Sequence, residues 1–242
     1  MSFDTKLEPQ EWGEIYNTSL KEQVLQQIIK NELSSQTQEI LKLAKSTDKV
    51  LEIGIGSGQT SLCLARLGCE TYALDNEQKC LDLALEVAKE LKINLNAMHH
   101  DALKPLPFKE KEFDIIFHAG LMEHFPKEER INMLKLWRPY CKKMISIIPN
   151  GNSLAYRIGK ALMQQNGTWA YGLELSIYTQ IDELIEAGYK FEQEYTIGAQ
   201  EALSFLPKKH FMRKALKKWL ETNICGDDCR QGNLLVSIGT NE

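Results

Sequence analysis

Residues Val50–Thr60 read VLEIGIGSGQT, and no other stretch restricts the fold as much. A short apolar run leads into glycine at every second position, Gly54, Gly56 and Gly58. Glycine weakens regular structure, so glycines concentrated here mark a backbone that needs left-handed angles or close approach by another group. The next residues, TSLCLARLG, carry helical spacing and stop at Gly68. The whole reads as strand, tight turn and helix, with the free N–H groups of the first helical turn aimed at the bare turn.

The alternation continues down the chain. ETYALD, LNAMHHDA, FDIIFHAG and KMISIIPN are strand-like runs, and NEQKCLDLALEVAKELK and KEERINMLKLWRPY are helical between them, with Asn76 a candidate N-cap. Further on, SLAYRIGKALMQQ and TQIDELIEAGY read as helices, KFEQEYTI as a strand, KKHFMRKALKKWLE as a helix and GNLLVSIGT as a last strand. Continuous apolar strands alternating with helices imply an α/β, Rossmann-like, mostly parallel sheet of seven strands, covered by helices on both faces. Residues 1–45 read as an N-terminal helical cap and 46–242 as the core. Helical insertions are expected after the fifth strand (150–177) and between the last two (199–228). In such a sheet, ligands bind at the carboxyl ends of the strands, near the point where strand order reverses.

Composition narrows the partners. The 242 residues carry a formal net charge of -4, which argues against a dedicated nucleic-acid binder. No segment has the apolar length of a membrane span, and MSFDTKLEPQEW lacks signal-peptide patterning, so a cytoplasmic location is expected. Cys63, Cys69, Cys80 and Cys141 stand singly among apolar neighbours, as small buried hydrophobes do. Cys225 and Cys229 in CGDDC lack a second pair at zinc spacing, so no metal is expected.

The glycine turn is not a dinucleotide fingerprint, which would place glycine at Gln59. Glu52 through Gly58 instead spell E-x-G-x-G-x-G. In this pattern, in ALDNE and in HHDALKPLPFKEKEFDIIFHAGLMEHFP, the sequence resembles the class I S-adenosylmethionine-dependent methyltransferases, from about Lys49 to Asn150 and more faintly beyond. The resemblance implies S-adenosyl-L-methionine as cofactor and S-adenosyl-L-homocysteine as product. It places Glu52, Gly54, Gly56 and Gly58 against the cofactor, Asp75 on the ribose hydroxyls with Asn76 beside it, and Asp101 on the adenine amino group next to Ala102. His118, Ala119 and Gly120 would line the methionine part. A carboxylate at Asp75 suits a diol, since it accepts several hydrogen bonds. No Asn/Asp-Pro-Pro-Tyr/Phe stretch lies between the fourth and fifth strands. In the resembled family that stretch marks amino-group methylases of bases or glutamine, so those acceptors are disfavoured.

Methyl transfer to a hydroxyl or protonated amine needs a base, and imidazole is suited to it near neutral pH. His124, in MEHF, is the first candidate, with a loop-holding role as its alternative. His118 reads as a pocket residue, and of His99 and His100 at least one as structural. Trp12 and Tyr16 are four apart, hence on one helix face; that face either docks on the core or, as the resemblance implies, covers the site. Tyr156, Arg157, Trp169 and Tyr171 would form the acceptor pocket, with a surface ion pair as the alternative for Arg157. Lys208–Lys218 holds six Lys/Arg residues among apolar ones. Such a helix is either a solvated face or a surface for an anionic partner or membrane. The leading expectation is transfer of a methyl group to oxygen or nitrogen of a small molecule. Alternatives are a macromolecular or membrane-held lipid-like acceptor, a nicotinamide-dependent oxidoreductase, and a non-catalytic cofactor-binding protein.

Overall fold

The structure is a computed structural model that describes residues 11–222 and 230–241. Cys225 and Cys229 lie outside the described residues. Seven strands form one sheet: β1 (Lys49–Ile53), β2 (Glu70–Asp75), β3 (Asn96–His99), β4 (Phe113–Ala119), β5 (Cys141–Pro149), β6 (Lys190–Ile197) and β7 (Leu234–Thr240). Their order is β3-β2-β1-β4-β5-β7-β6. Strands β1 to β5 pair in parallel, while β7 runs antiparallel to both β5 and β6. The chain moves outward from β1 to β3, then crosses back to β4, so strand order reverses between β1 and β4. In such a sheet that reversal, at the carboxyl ends of the strands, is where ligands bind.

Period-two alternation sends successive residues of the central strands to opposite faces. Leu51, Ile53, Ile116, Met144 and Ile148 join Trp137 and Met133 in one core. Val50, Ile115, Phe117, Ile145, Ile147, Val236 and Ile238 join Ile40 and Leu64 in the other. Both faces bury apolar side chains, so the strands read as unbroken apolar runs in the sequence.

Ten α-helices are present among the described residues: α1 (Trp12–Ile15), α2 (Lys21–Ile29), α3 (Ser35–Leu43), α4 (Gln59–Leu67), α5 (Gln78–Leu91), α6 (Lys127–Trp137), α7 (Leu154–Gln165), α8 (Ile181–Glu186), α9 (Ala199–Ala202) and α10 (Phe211–Thr222). α4 is bounded by two left-handed glycines, Gly58 (φ 75) and Gly68 (φ 110). α5 ends at Lys92, itself left-handed at φ 56. The buried pair Arg130–Glu183 joins α6 to α8, the guanidinium Nε donating to the carboxylate at 2.9 Å.

Two expectations need correcting, and the N-terminal helices do more than reach the site. Val24 and Ile28 of α2 pack with Leu62, Leu83 and Val87 of α4 and α5, and Ile40 of α3 packs on the sheet. Both helices therefore thicken the helical layer. Trp12 and Tyr16 do not share a continuous helix face, because α1 is one turn long and Tyr16 follows it in an extended conformation. The N-cap of α5 is Glu77 rather than Asn76. The Asp75 carboxylate accepts the Glu77 N–H at 2.8 Å, which delays the first helical turn by one residue.

Candidate active site

The turn after β1 is left-handed at all three glycines: Gly54 (φ 77), Gly56 (φ 51) and Gly58 (φ 75). A Cβ on Gly58 would stand 2.8 Å from the Ala84 Cβ, so the missing side chain lets α5 close on the turn. At Gly56 a Cβ would stand 3.5 Å from the Tyr16 ring, which covers the turn from outside. Glu52 is 3% exposed and accepts hydrogen bonds from both the backbone N–H and the hydroxyl of Ser61. It thereby ties β1 to α4, and burial pushes its carboxyl up to about 8. Its role in the described structure is to hold the turn. Gln59 links the turn to the N-terminal helices. Its side-chain oxygen accepts from the Ser34 N–H at 2.9 Å and the Thr37 hydroxyl at 3.1 Å.

Asp75 ends β2 directly beside this turn. One oxygen accepts the Gly56 N–H at 3.4 Å and the other the Glu77 N–H. Burial raises its pKa from the usual carboxylate value, against the pull of those N–H groups. Two of its roughly four lone-pair sites remain for a diol. Asn76 is exposed, and its carbonyl accepts from the His99 ring at 2.9 Å. Asp101, after β3, accepts the Leu103 N–H at 2.9 Å and lies 3.4 Å from the Lys104 ammonium. The Ala102 carbonyl is pinned by the indole N–H of Trp137 at 2.9 Å. His100 donates to the Pro105 carbonyl at 3.1 Å, so both neighbouring histidines hold loops. The bare turn, Asp75 and the rings of Tyr16 and Trp12 fit an adenosyl sulfonium. Main chain would lie against its nucleoside, a carboxylate would meet its sugar, and aromatic faces would favour its positive charge.

His118 does not line this crevice. Its side chain is fully buried, its Nε2–H donates to the Ser146 hydroxyl at 2.7 Å, and that hydroxyl donates to Gln180 at 2.7 Å. β4 alternation turns it toward Trp137 on the α6 side of the sheet. Burial depresses its pKa to about 3. At this strand end Ala119 is half-buried and Gly120 exposed.

Past β4, a single 3-10 turn (Met122–His124) carries the reactive groups. The His124 Nδ1–H donates to the Leu173 carbonyl at 2.8 Å, which leaves Nε2 with its lone pair. Burial lowers its pKa, so the ring is neutral at neutral pH. Nε2 is 3.8 Å from Oε1 of Glu123. Glu123 is buried, its Oε2 has no partner, and burial pushes its carboxyl up to about 8. The Trp12 ring meets His124 edge-on at 5.1 Å and stacks toward Tyr16 at 6.4 Å. Despite its short helix, the N-terminal strap thus reaches both the glycine turn and the histidine.

The segment after α7 forms the facing wall. Glu174 accepts from the Tyr156 hydroxyl and from the Lys160 ammonium, the latter at 2.7 Å. Lys160 lies 4.9 Å over the Trp169 ring, and Trp169 meets Tyr171 at 5.2 Å. Arg157 is exposed and lies 5.9 Å from the Tyr178 ring. A cavity of about 190 Å³ is bordered by Tyr156, Arg157, Lys160 and Glu174. A larger concavity of about 580 Å³ lies at the amino ends of β2 and β3, around Thr71, Leu95 and Asn96, away from these groups. Ligand atoms of Glu123, His124 and Glu174 lie within 4.8 Å of one another. The Lys160 ammonium already supplies a positive charge to that set.

Lys160, Glu174 and the Leu173 carbonyl were not singled out in the sequence, and Glu123 only as the partner of His124 in MEHF. Glu174 is a lone acid 18 residues beyond Tyr156. No periodicity announces such a pairing.

Residues 50–143 match the family model described as a methyltransferase domain. The chain is 33% identical over 109 residues to a ubiquinone biosynthesis O-methyltransferase of Coxiella burnetii. That match takes in 44% of this chain and 46% of the relative, less than half its length. Among solved structures, the PH0226 protein of Pyrococcus horikoshii superposes with a TM-score of 0.60 at 17% identity, covering 88% of this chain and 91% of that one. Magnesium protoporphyrin IX methyltransferase of Synechocystis, solved with bound SAH, gives a TM-score of 0.57 at 14% identity, covering 93% and 85%. At these identities the structural likeness concerns the fold.

Proposed function

We propose that this chain, a class I S-adenosylmethionine-dependent methyltransferase in its domain and sheet topology, moves a methyl group onto an oxygen or nitrogen atom of a small molecule. When bound, the cofactor supplies an electrophilic methyl group on a sulfonium. Gly54, Gly56 and Gly58 give the nucleoside a bare backbone, Asp75 receives the ribose hydroxyls, and Asp101 with Ala102 flanks the base. Trp12 and Tyr16 cover the crevice from the N-terminal side and exclude water. Tyr156, Trp169, Tyr171 and the Lys160–Glu174 pair shape the acceptor side, with Arg157 at its rim.

His124 takes the acceptor's proton. The observation that carries this reading is its hydrogen bond from Nδ1 to the Leu173 carbonyl. That bond fixes the tautomer and ring orientation and leaves Nε2 as an uncharged base in a partly desolvated site. Oxygen is favoured as the acceptor atom, because the C. burnetii relative is named an O-methyltransferase. Alignment and exclusion of water account for much of the rate in such a displacement.

Calorimetry with S-adenosylmethionine, S-adenosylhomocysteine and NAD tests the cofactor. The first two should bind and NAD should not, and tighter NAD binding would overturn the reading. Transfer of labelled methyl into a low-molecular-weight extract, resolved by mass spectrometry, tests the chemistry. His124→Ala should lower turnover by about 10²–10⁴-fold with S-adenosylhomocysteine affinity nearly kept. Unchanged turnover would remove His124 from the mechanism.

A further inference from the structure

Helix α10 is amphipathic, but its apolar stripe is already used. Met212, Leu216 and Leu220 pack against Ala155 and Ile158 of α7 and against Ala202, Leu203 and Leu206. Phe211 and Trp219 stand outside that stripe, 75% and 37% exposed. At 100° per residue, Lys218 and Lys214 project roughly 20° and 60° to one side of Phe211, and Trp219 roughly 80° to the other. Lys208, Lys209, Lys214, Lys217 and Lys218 are all exposed. Among the described residues, only Lys217 of these five has an ion-pair partner, Glu221 at 3.7 Å. A chain of net charge -4 thus gathers six cations into residues 208–218 and sets an exposed phenylalanine among them.

The opposite side of α7 belongs to the site described above. Tyr156 and Lys160 face Glu174 and Trp169 there, while Ala155 and Ile158 carry α10. Helices in contact have axes roughly 8–10 Å apart. Whatever α10 docks on therefore lies about one helix thickness from the acceptor wall.

We propose that α10 docks this protein on an anionic lipid bilayer, with Phe211 and Trp219 in the headgroup–acyl boundary and the lysines against lipid phosphates. A solvated basic face has no use for an exposed Phe211. Exposed aromatic residues beside lysines on one helix combine the two attractions of an interfacial helix: apolar insertion and attraction to anionic headgroups. The arrangement holds the acceptor side next to the lipid surface, where an amphiphilic methyl acceptor would reside. In that respect the inference rests on the methyltransferase reading.

The test is co-sedimentation of the full chain with phosphatidylcholine vesicles, with and without phosphatidylglycerol. Binding should require the anionic lipid and weaken with added salt. Lys214→Gln, Lys217→Gln and Lys218→Gln combined should lower partitioning by about tenfold or more. Phe211→Ser, at an exposed position, should weaken it with all charges intact. Both variants should bind S-adenosylhomocysteine like the parent chain, which separates failure of docking from failure of the cofactor site. Equal binding to both vesicle types, binding that survives the lysine substitutions, or tighter binding to a single-stranded oligonucleotide than to vesicles would overturn the proposal.

Discussion

Gly56 and Gly58 share a left-handed backbone but differ in what a side chain would meet. At Gly58 an added Cβ runs into Ala84 at 2.8 Å, while at Gly56 it reaches ordinary contact with Tyr16 at 3.5 Å. Gly58→Ala should therefore cost about 3 kcal/mol, from backbone strain plus the clash, and Gly56→Ala about 1 kcal/mol, from strain alone. Denaturant melts check the order of the two. Calorimetry should find S-adenosylhomocysteine binding impaired in both, because Gly56 stands in the crevice itself. Glu123 makes a separate prediction. Its carboxyl is raised to about 8 in the folded chain, whereas in the unfolded chain it titrates near 4.3. Between these values the folded state binds more protons, so this residue's contribution to stability is full below the lower value and is lost as pH rises through about 8. Glu123→Gln removes that dependence. Its melting temperature relative to the parent chain should rise steadily from about pH 4 to about pH 8.5, a span that brackets both values. A constant difference would mean that Glu123 is ionised throughout. For His124 the sign is opposite, because burial lowers its pKa. The acid limb of the rate profile should fall below the ordinary imidazole value of about 6.5.

At the scale of elements, legibility followed burial. The strands β1, β2, β4, β5 and β7 were readable because their buried apolar runs and closing residues such as Gly54, Asp75 and Pro149 mark them without reference to distant contacts, while the less buried edge strands β3 and β6 were read from their place in the alternation. The α4 and α5 helices were readable for the same reason. The N-terminal strap was not. A four-residue spacing between Trp12 and Tyr16 implies a helix only if the helix persists, and α1 stops after one turn because tertiary contacts with Gly56 and His124 hold the chain extended there. His118 failed as a pocket residue because strand alternation, not proximity in sequence, decides which face a side chain takes. The α6–α8 contact was invisible as well: nothing links Arg130 to Glu183 until the chain has folded. Both side chains are at least 93% buried and donate and accept in two places. Arg130→Ala would leave Glu183 charged and unpaired, so a loss of about 3–5 kcal/mol is expected. Replacing both by apolar residues should restore much of it. A double-mutant cycle in urea distinguishes this from simple loss of packing.

For the whole molecule, the two halves of the proposed site differ in how far the sequence announces them. The proposed cofactor half lies on consecutive strand ends, Gly54–Gly58, Asp75 and Asp101, and each is legible beside its own strand. The acceptor half needs Leu173 and Glu174 brought to His124 across 49 residues, by a segment without regular structure. Only the fold makes that pairing. The two halves should therefore respond differently to ligand. Cofactor binding stabilises the native state by RT ln(1 + [L]/Kd), about 2.7 kcal/mol at a hundredfold excess over Kd. For a chain of this size, each kcal/mol raises Tm by about 2–4 °C, so S-adenosylhomocysteine should raise it by about 5–11 °C. Asp75→Ala removes the carboxylate proposed to receive the sugar, so it should abolish the rise at the same ligand concentration. His124→Ala should keep it if, as proposed, His124 serves the acceptor and not the nucleoside. A rise lost in both variants would mean that the histidine holds the cofactor, and the base would then have to be sought elsewhere on the acceptor wall.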